Sequence, residues 1–76
     1  MRRKPDVFAK IRGDVTLVHG MRAQAALKVA VDSRLVDYSN ADRGWVIPTT
    51  QLDNVDAYCQ TRRWLLIIHD TRRVAP

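Results

Sequence analysis

The chain contains no glutamate; all eight of its acids are aspartate. It has one cysteine (Cys59), three glycines, three prolines and one phenylalanine. Each scarcity excludes something. A single cysteine rules out an internal disulfide and a cysteine-based zinc site, and it suits a reducing, cytoplasmic setting. Three glycines leave little material for a phosphate-cradling loop, and the chain has no Walker-type loop, no GxGxxG and no nucleophile elbow. No apolar run approaches the roughly 18 residues that cross a bilayer. No apolar segment of signal-peptide length follows the basic Met1-Arg2-Arg3-Lys4-Pro5. No membrane association, catalytic activity or cofactor is expected.

What is abundant is arginine. Thirteen basic residues, most of them arginine, face the eight aspartates, for a net charge of +5. The guanidinium is a planar fork that matches phosphate and carboxylate, so a basic chain of 76 residues is a candidate for polyanion binding. A GC-rich coding bias would raise arginine, alanine, valine and aspartate together without any such function. A chain this short makes one domain with a thin core, and self-association is a common remedy.

Residues 1–13 read as a basic arm and lead-in, in which Val7 to Ile11 suits a short strand or an extended segment. An α+β domain over 14–70 follows, then a basic tail over 71–76. Val15 to His19 has the β-branched content of a strand. Met21 to Asp32 is rich in helix formers, with Ala23, Ala26, Leu27, Ala30 and Val31 on one face. Arg34 to Tyr38 and Arg43 to Ile47 read as a hairpin around the turn Ser39-Asn40-Ala41-Asp42. Thr50 is placed to cap a helix running to about Arg62, with Asp53 completing a capping box. Trp64 to His69 is the last strand. The order β-α-β-β-α-β is that of the ferredoxin-like split βαβ, with two helices on one face of an antiparallel sheet. A winged helix is the rival arrangement, and the helix after the hairpin argues against it.

The stretch RRWLLIIHDTRR, residues 62–73, raises a problem for that scheme. Trp64, Leu66 and Ile68 point one way from the strand, and Leu65, Ile67 and His69 the other. Helices on one face leave an apolar set uncovered. Trp45 and Ile47 raise the same problem on the hairpin. The expected interaction surface is therefore Trp45, Ile47, Trp64, Leu66 and Ile68. Its occupant is a second copy, a host protein or nucleic-acid bases, unless the segment around Phe8 and Ile11 closes over it.

The arginines Arg2, Arg3, Arg43, Arg62, Arg63, Arg72 and Arg73 are the candidate nucleic-acid contacts. Arg43-Gly44-Trp45-Val46-Ile47 resembles a shortened RNP1 signature of the RNA-recognition motifs, and the resemblance implies an aromatic that stacks on a base. It covers five residues; Pro48 cuts it short, and Val15 to Val18 lacks the partner aromatic. His19 and His69 lie at strand ends with only aspartates to complete a metal site, and Cys59 falls on the inner face of its helix, where a thiol is inert. Short, arginine-rich and glutamate-free, the chain resembles in composition the small orphan proteins of actinobacteria and their phages. That likeness implies an accessory or regulatory role. The expected function is a non-enzymatic interaction module, homodimeric or bound to a host protein; the alternative is a nucleic-acid-binding module.

Overall fold

A sheet of five strands and two α-helices makes up the computed structural model, which describes residues 4–70. The strands are β1 (Val7–Arg12), β2 (Val15–His19), β3 (Asp37–Ser39), β4 (Gly44–Pro48) and β5 (Leu66–Asp70). The helices are α1 (Ala23–Ala30) and α2 (Leu52–Arg62). Across the sheet the order is β3-β4-β2-β1-β5. Neighbours are antiparallel except β1 and β5, which run parallel.

This corrects the expected wholly antiparallel sheet, and of the two readings of Val7 to Ile11 it is the strand that holds. Residues 7–12 neither lead in nor fold across the sheet; they are a strand inside it, between β2 and β5. The alternation of Val7-Phe8-Ala9-Lys10-Ile11 explains why. Val7, Ala9 and Ile11 are buried in the core, while Phe8 and Lys10 are only part-buried on the other side. A turn with Gly13 at φ 67 returns the chain directly into β2. The expected tail, residues 71–76, lies outside the described residues.

One core cluster joins Val7, Ala9 and Ile11 of β1, Val18 of β2 and Ile47 of β4 with Ala23, Ala26 and Leu27 of α1 and Leu52, Val55 and Cys59 of α2. The small residues of α1 let it approach closely, and α1 also packs against α2. Thr16 is fully buried in this company, and its hydroxyl meets that of Thr49 at 2.9 Å. Thr49 in turn donates to the Gly13 carbonyl at 2.8 Å, so the buried polar atoms are satisfied.

Three local readings change. The segment expected as a strand from Arg34 opens instead as a 3₁₀ turn over Ser33–Leu35, because the Asp32 carboxylate accepts from the Arg34 backbone N–H and grips its guanidinium at 2.8 Å. Only Asp37–Ser39 is left to pair. Thr50 is not the N-cap; a 3₁₀ turn over Thr49–Gln51 leads into α2, and Gln51 stands at the N-cap without a side-chain capping bond, its amide oxygen accepting instead from the Asn54 side chain at 3.0 Å. At the other end α2 stops on Arg63 in the left-handed conformation, φ 57, whose N–H bonds back to Gln60.

Gly20, φ 120, ends β2 where no side chain fits: a Cβ there would sit 2.8 Å from the Asp6 carbonyl oxygen and 3.2 Å from the Val7 Cα. Gly20→Ala therefore meets both a backbone conformation that disfavours alanine and a main-chain clash. A loss of about 1–3 kcal/mol is expected in urea denaturation. Ile47, 1 % exposed, is a core residue, and Ile47→Ala is expected to cost about 2–5 kcal/mol in the same assay.

Candidate nucleic-acid interface

Two adjacent rows across the sheet show how its faces differ. One reads Tyr38, Trp45, Val18, Ala9, Ile68 from edge to edge. Val18 and Ala9 in it belong to the core, and Trp45 packs against that core. The next row reads Asp37, Val46, Leu17, Lys10, His69. Successive residues of a strand point to opposite faces, so this second row faces away from the core, and none of its members joins the core cluster.

The expected interaction surface is therefore turned over. Trp45, Trp64 and Leu66 are part-buried against the core, and Ile47 lies within it. Of the expected surface residues, Ile68 is the one that stays open, at 45 % exposed, because it lies at the sheet edge. Trp45 meets Tyr38 edge-on at 4.8 Å and lines a groove with Gln24, Leu27, Lys28, Ser33 and Val36. At about 200 Å³, the groove is smaller than typical ligand pockets. The tryptophan of the RNP1-like stretch is thus on the core side of the sheet.

The opposite face carries a different set of side chains. Phe8 pairs in register with His19 on β2 and Ile67 on β5. Its ring stacks on the His19 imidazole, with centroids 5.0 Å apart and planes 9° from parallel. Next to them Lys10 stands between Leu17 and His69. Leu17 is buried by its neighbours in the middle of this face. Arg12, on the same face, reaches over β2 and β4 to Asp42 in the β3–β4 turn at 3.3 Å. Ser39 holds Asp42 in place with a hydroxyl donation of 3.0 Å. The face is thus an apolar floor with the stacked Phe8–His19 pair, a lysine and a second imidazole, His69. The β1 alternation put Phe8 and Lys10 on one side together, a signal the sequence reading did not use; which side that is, and their pairing with His19 and His69, needed the strand order.

A second basic-aromatic group gathers at the end of the sheet where β5 begins. Arg22, before α1, and Arg62, in the last turn of α2, both lie over the Trp64 ring, 5.1 and 5.5 Å from its centroid. Tyr58 meets the same indole edge-on at 5.6 Å. Indole faces attract guanidinium groups, and here one ring holds two of them. Asp6 is paired with Arg22 at 3.7 Å.

Among the described residues, the candidate arginines fall at two places. Arg62 belongs to the Trp64 group and Arg63 is the adjacent exposed helix cap. Arg43 lies exposed in the β3–β4 turn at φ 53. Arg2, Arg3, Arg72 and Arg73 lie outside the described residues. Sequence reasoning passed over Arg22, which becomes a neighbour of Trp64 only through the fold. His19 and His69 are not brought together with a third ligand, and among the described residues no group of three or more His, Cys or Asp could hold a metal ion.

Cys59 is fully buried in the core. Burial pushes its thiol pKa up, and the carboxylates of Asp56 and Asp6 add to the shift. A thiol with its pKa raised exposes little thiolate to react. Cys59 should resist alkylation by a thiol reagent at neutral pH in the native protein and react fully in denaturant, as followed by mass spectrometry.

No family model, curated protein or solved structure matches the chain.

Proposed function

We propose that this chain is a non-enzymatic binding module for single-stranded nucleic acid, which lies on the sheet face opposite the two helices. The observation that carries the reading is the Phe8–His19 stack with Lys10 and His69 at the neighbouring register positions. Aromatic rings on an open sheet give bases something to stack on, and nearby cations take up the phosphates. The net charge of +5 favours a polyanion over an acid-poor protein surface.

The architecture supports this reading. Set β1 aside, and the strands stand in the order β3-β4-β2-β5 with α1 and α2 in the crossovers. We read this as a split βαβ sheet with β1 inserted and both helices on one face. That arrangement leaves the Phe8 face free for a ligand, while the RNP1-like Trp45 serves packing. The Trp64 group, with Arg22 and Arg62, would extend the cationic track around the end of the sheet. Such binding suits a small accessory or regulatory protein, the class that the composition resembles.

Fluorescence anisotropy with labelled pyrimidine-rich DNA and RNA oligonucleotides, at two salt concentrations, tests the reading. Binding should weaken steeply with salt. Phe8→Ala should cost about 1–3 kcal/mol of binding, the worth of one base stacked on an aromatic ring. Lys10→Gln should reduce the slope of log K against log salt by about 0.7, one phosphate contact on a single strand. Absence of binding at low salt, or a Phe8→Ala variant that binds as the parent does, would overturn it.

A further inference from the structure

The two edges of the sheet are not equivalent. β3, at one edge, is three residues long, and a short edge strand offers little to pair with. β5, at the other, has five residues, LIIHD. It contains neither proline nor lysine, and its register with β1 runs without a bulge. These are the usual guards against edge pairing. Ile67 and Ile68, on opposite faces of the strand, are 43 % and 45 % exposed.

The direction of the backbone groups follows from the β1–β5 ladder. The Leu65 carbonyl accepts from the Val7 N–H at 3.2 Å, so Leu65 turns its backbone groups toward β1. Strand residues alternate in this respect. Leu66 and Ile68 therefore turn their N–H and C=O outward, to the side where the described residues place no further strand.

We propose that the protein forms a two-fold homodimer through antiparallel pairing of β5 with β5 of a second copy, centred on Ile67. The strand is complementary to itself in this register. Ile67 stands opposite the second copy's Ile67, and Leu66 stands opposite its Ile68. The outward groups of Leu66 and Ile68 then meet each other, and each such pair exchanges both N–H···O=C bonds. Centring on Ile68 would instead set Leu66 against Asp70, an aliphatic chain against a carboxylate. The apolar match identifies a second copy as the occupant in preference to a foreign strand. The need for it is plain in a core where alanine and valine recur and Ile11, Ile47, Leu27 and Leu52 are the large aliphatics. The dimer does not depend on the nucleic-acid reading, since Phe8 and Lys10 lie inboard of the shared edge.

Light scattering on the full chain over a concentration series is the first test, and it should approach twice the 8.7 kDa chain mass. Ile68→Pro removes an outward N–H and leaves the bonds to β1 in place. Ile67→Lys places two like charges together on the two-fold axis. Both variants should run at single-chain mass with an unchanged far-ultraviolet circular dichroism spectrum. Crosslinking reads the register without disturbing the strand. Opposed residues of a non-hydrogen-bonded antiparallel pair have Cα atoms about 4.5 Å apart, within disulfide range. Ile67→Cys should therefore crosslink on mild oxidation, and Ile68→Cys should not; the buried Cys59 of the parent chain gives the background. Single-chain mass at every concentration would overturn the proposal and leave the edge to a foreign strand. So would a dimer indifferent to Ile68→Pro, or crosslinking through Ile68→Cys in place of Ile67→Cys.

Discussion

Asp6 ties three parts of the chain together, and the rest of the architecture hangs from that knot. Its backbone N–H donates to the Leu65 carbonyl, and its own carbonyl accepts from the Arg22 N–H. Its carboxylate accepts from the Leu65 N–H at 2.9 Å and faces the Arg22 guanidinium. The start of β5 and the approach to α1 are thereby fixed to the start of β1. The close pass of Gly20 over the Asp6 carbonyl is part of the same arrangement. With Arg22 held by Asp6, its guanidinium lies over Trp64, so the basic-aromatic group at that end is a by-product of the knot. Hydrogen bonds to a charged acceptor are worth more than neutral ones, and this one seats the start of β5, which among the described residues has β1 as its one strand neighbour.

The sheet sorts its side chains by parity more than by composition. Both rows described above contain aliphatic residues. What separates them is the company: Val18 and Ala9 sit among helix residues, while Val46 and Leu17 share their row with Asp37, Lys10 and His69. A dry contact between two copies of the second face would bury Lys10, which is costly without a counter-charge. An anionic partner would supply that counter-charge. The edge strand is different, because the residues it would bring together are aliphatic on both sides.

Much of the element order was legible. The helices around Leu27 and Val55 and the strands around Val18, Val46 and Ile67 announced themselves by period and by turn residues. β1 carried a clean two-residue alternation that suited a short strand, but its six residues next to a basic segment suited an extended lead-in as well. A strand's place in a sheet is set by partners far along the chain, which local pattern does not encode. The same ignorance reversed the faces. Alternation shows that Trp45 and Ile47 share a side and that Val46 takes the other; it does not show which side the helices cover. The Asp32–Arg34 clasp was also missed, because an aspartate that bonds two residues onward competes with strand geometry through its own side chain.

The parallel pairing of β1 with β5 couples residues some sixty positions apart. On a ribosome, the strand that emerges earliest of the five must wait for the one that emerges last before its outer flank is sealed. Until then Val7 and Ala9 have a neighbour on one side only. Contacts so distant along the chain slow the search for the native state, so this pairing is the costly one to close. A chain that ended before Leu66 would leave β1 without its parallel neighbour.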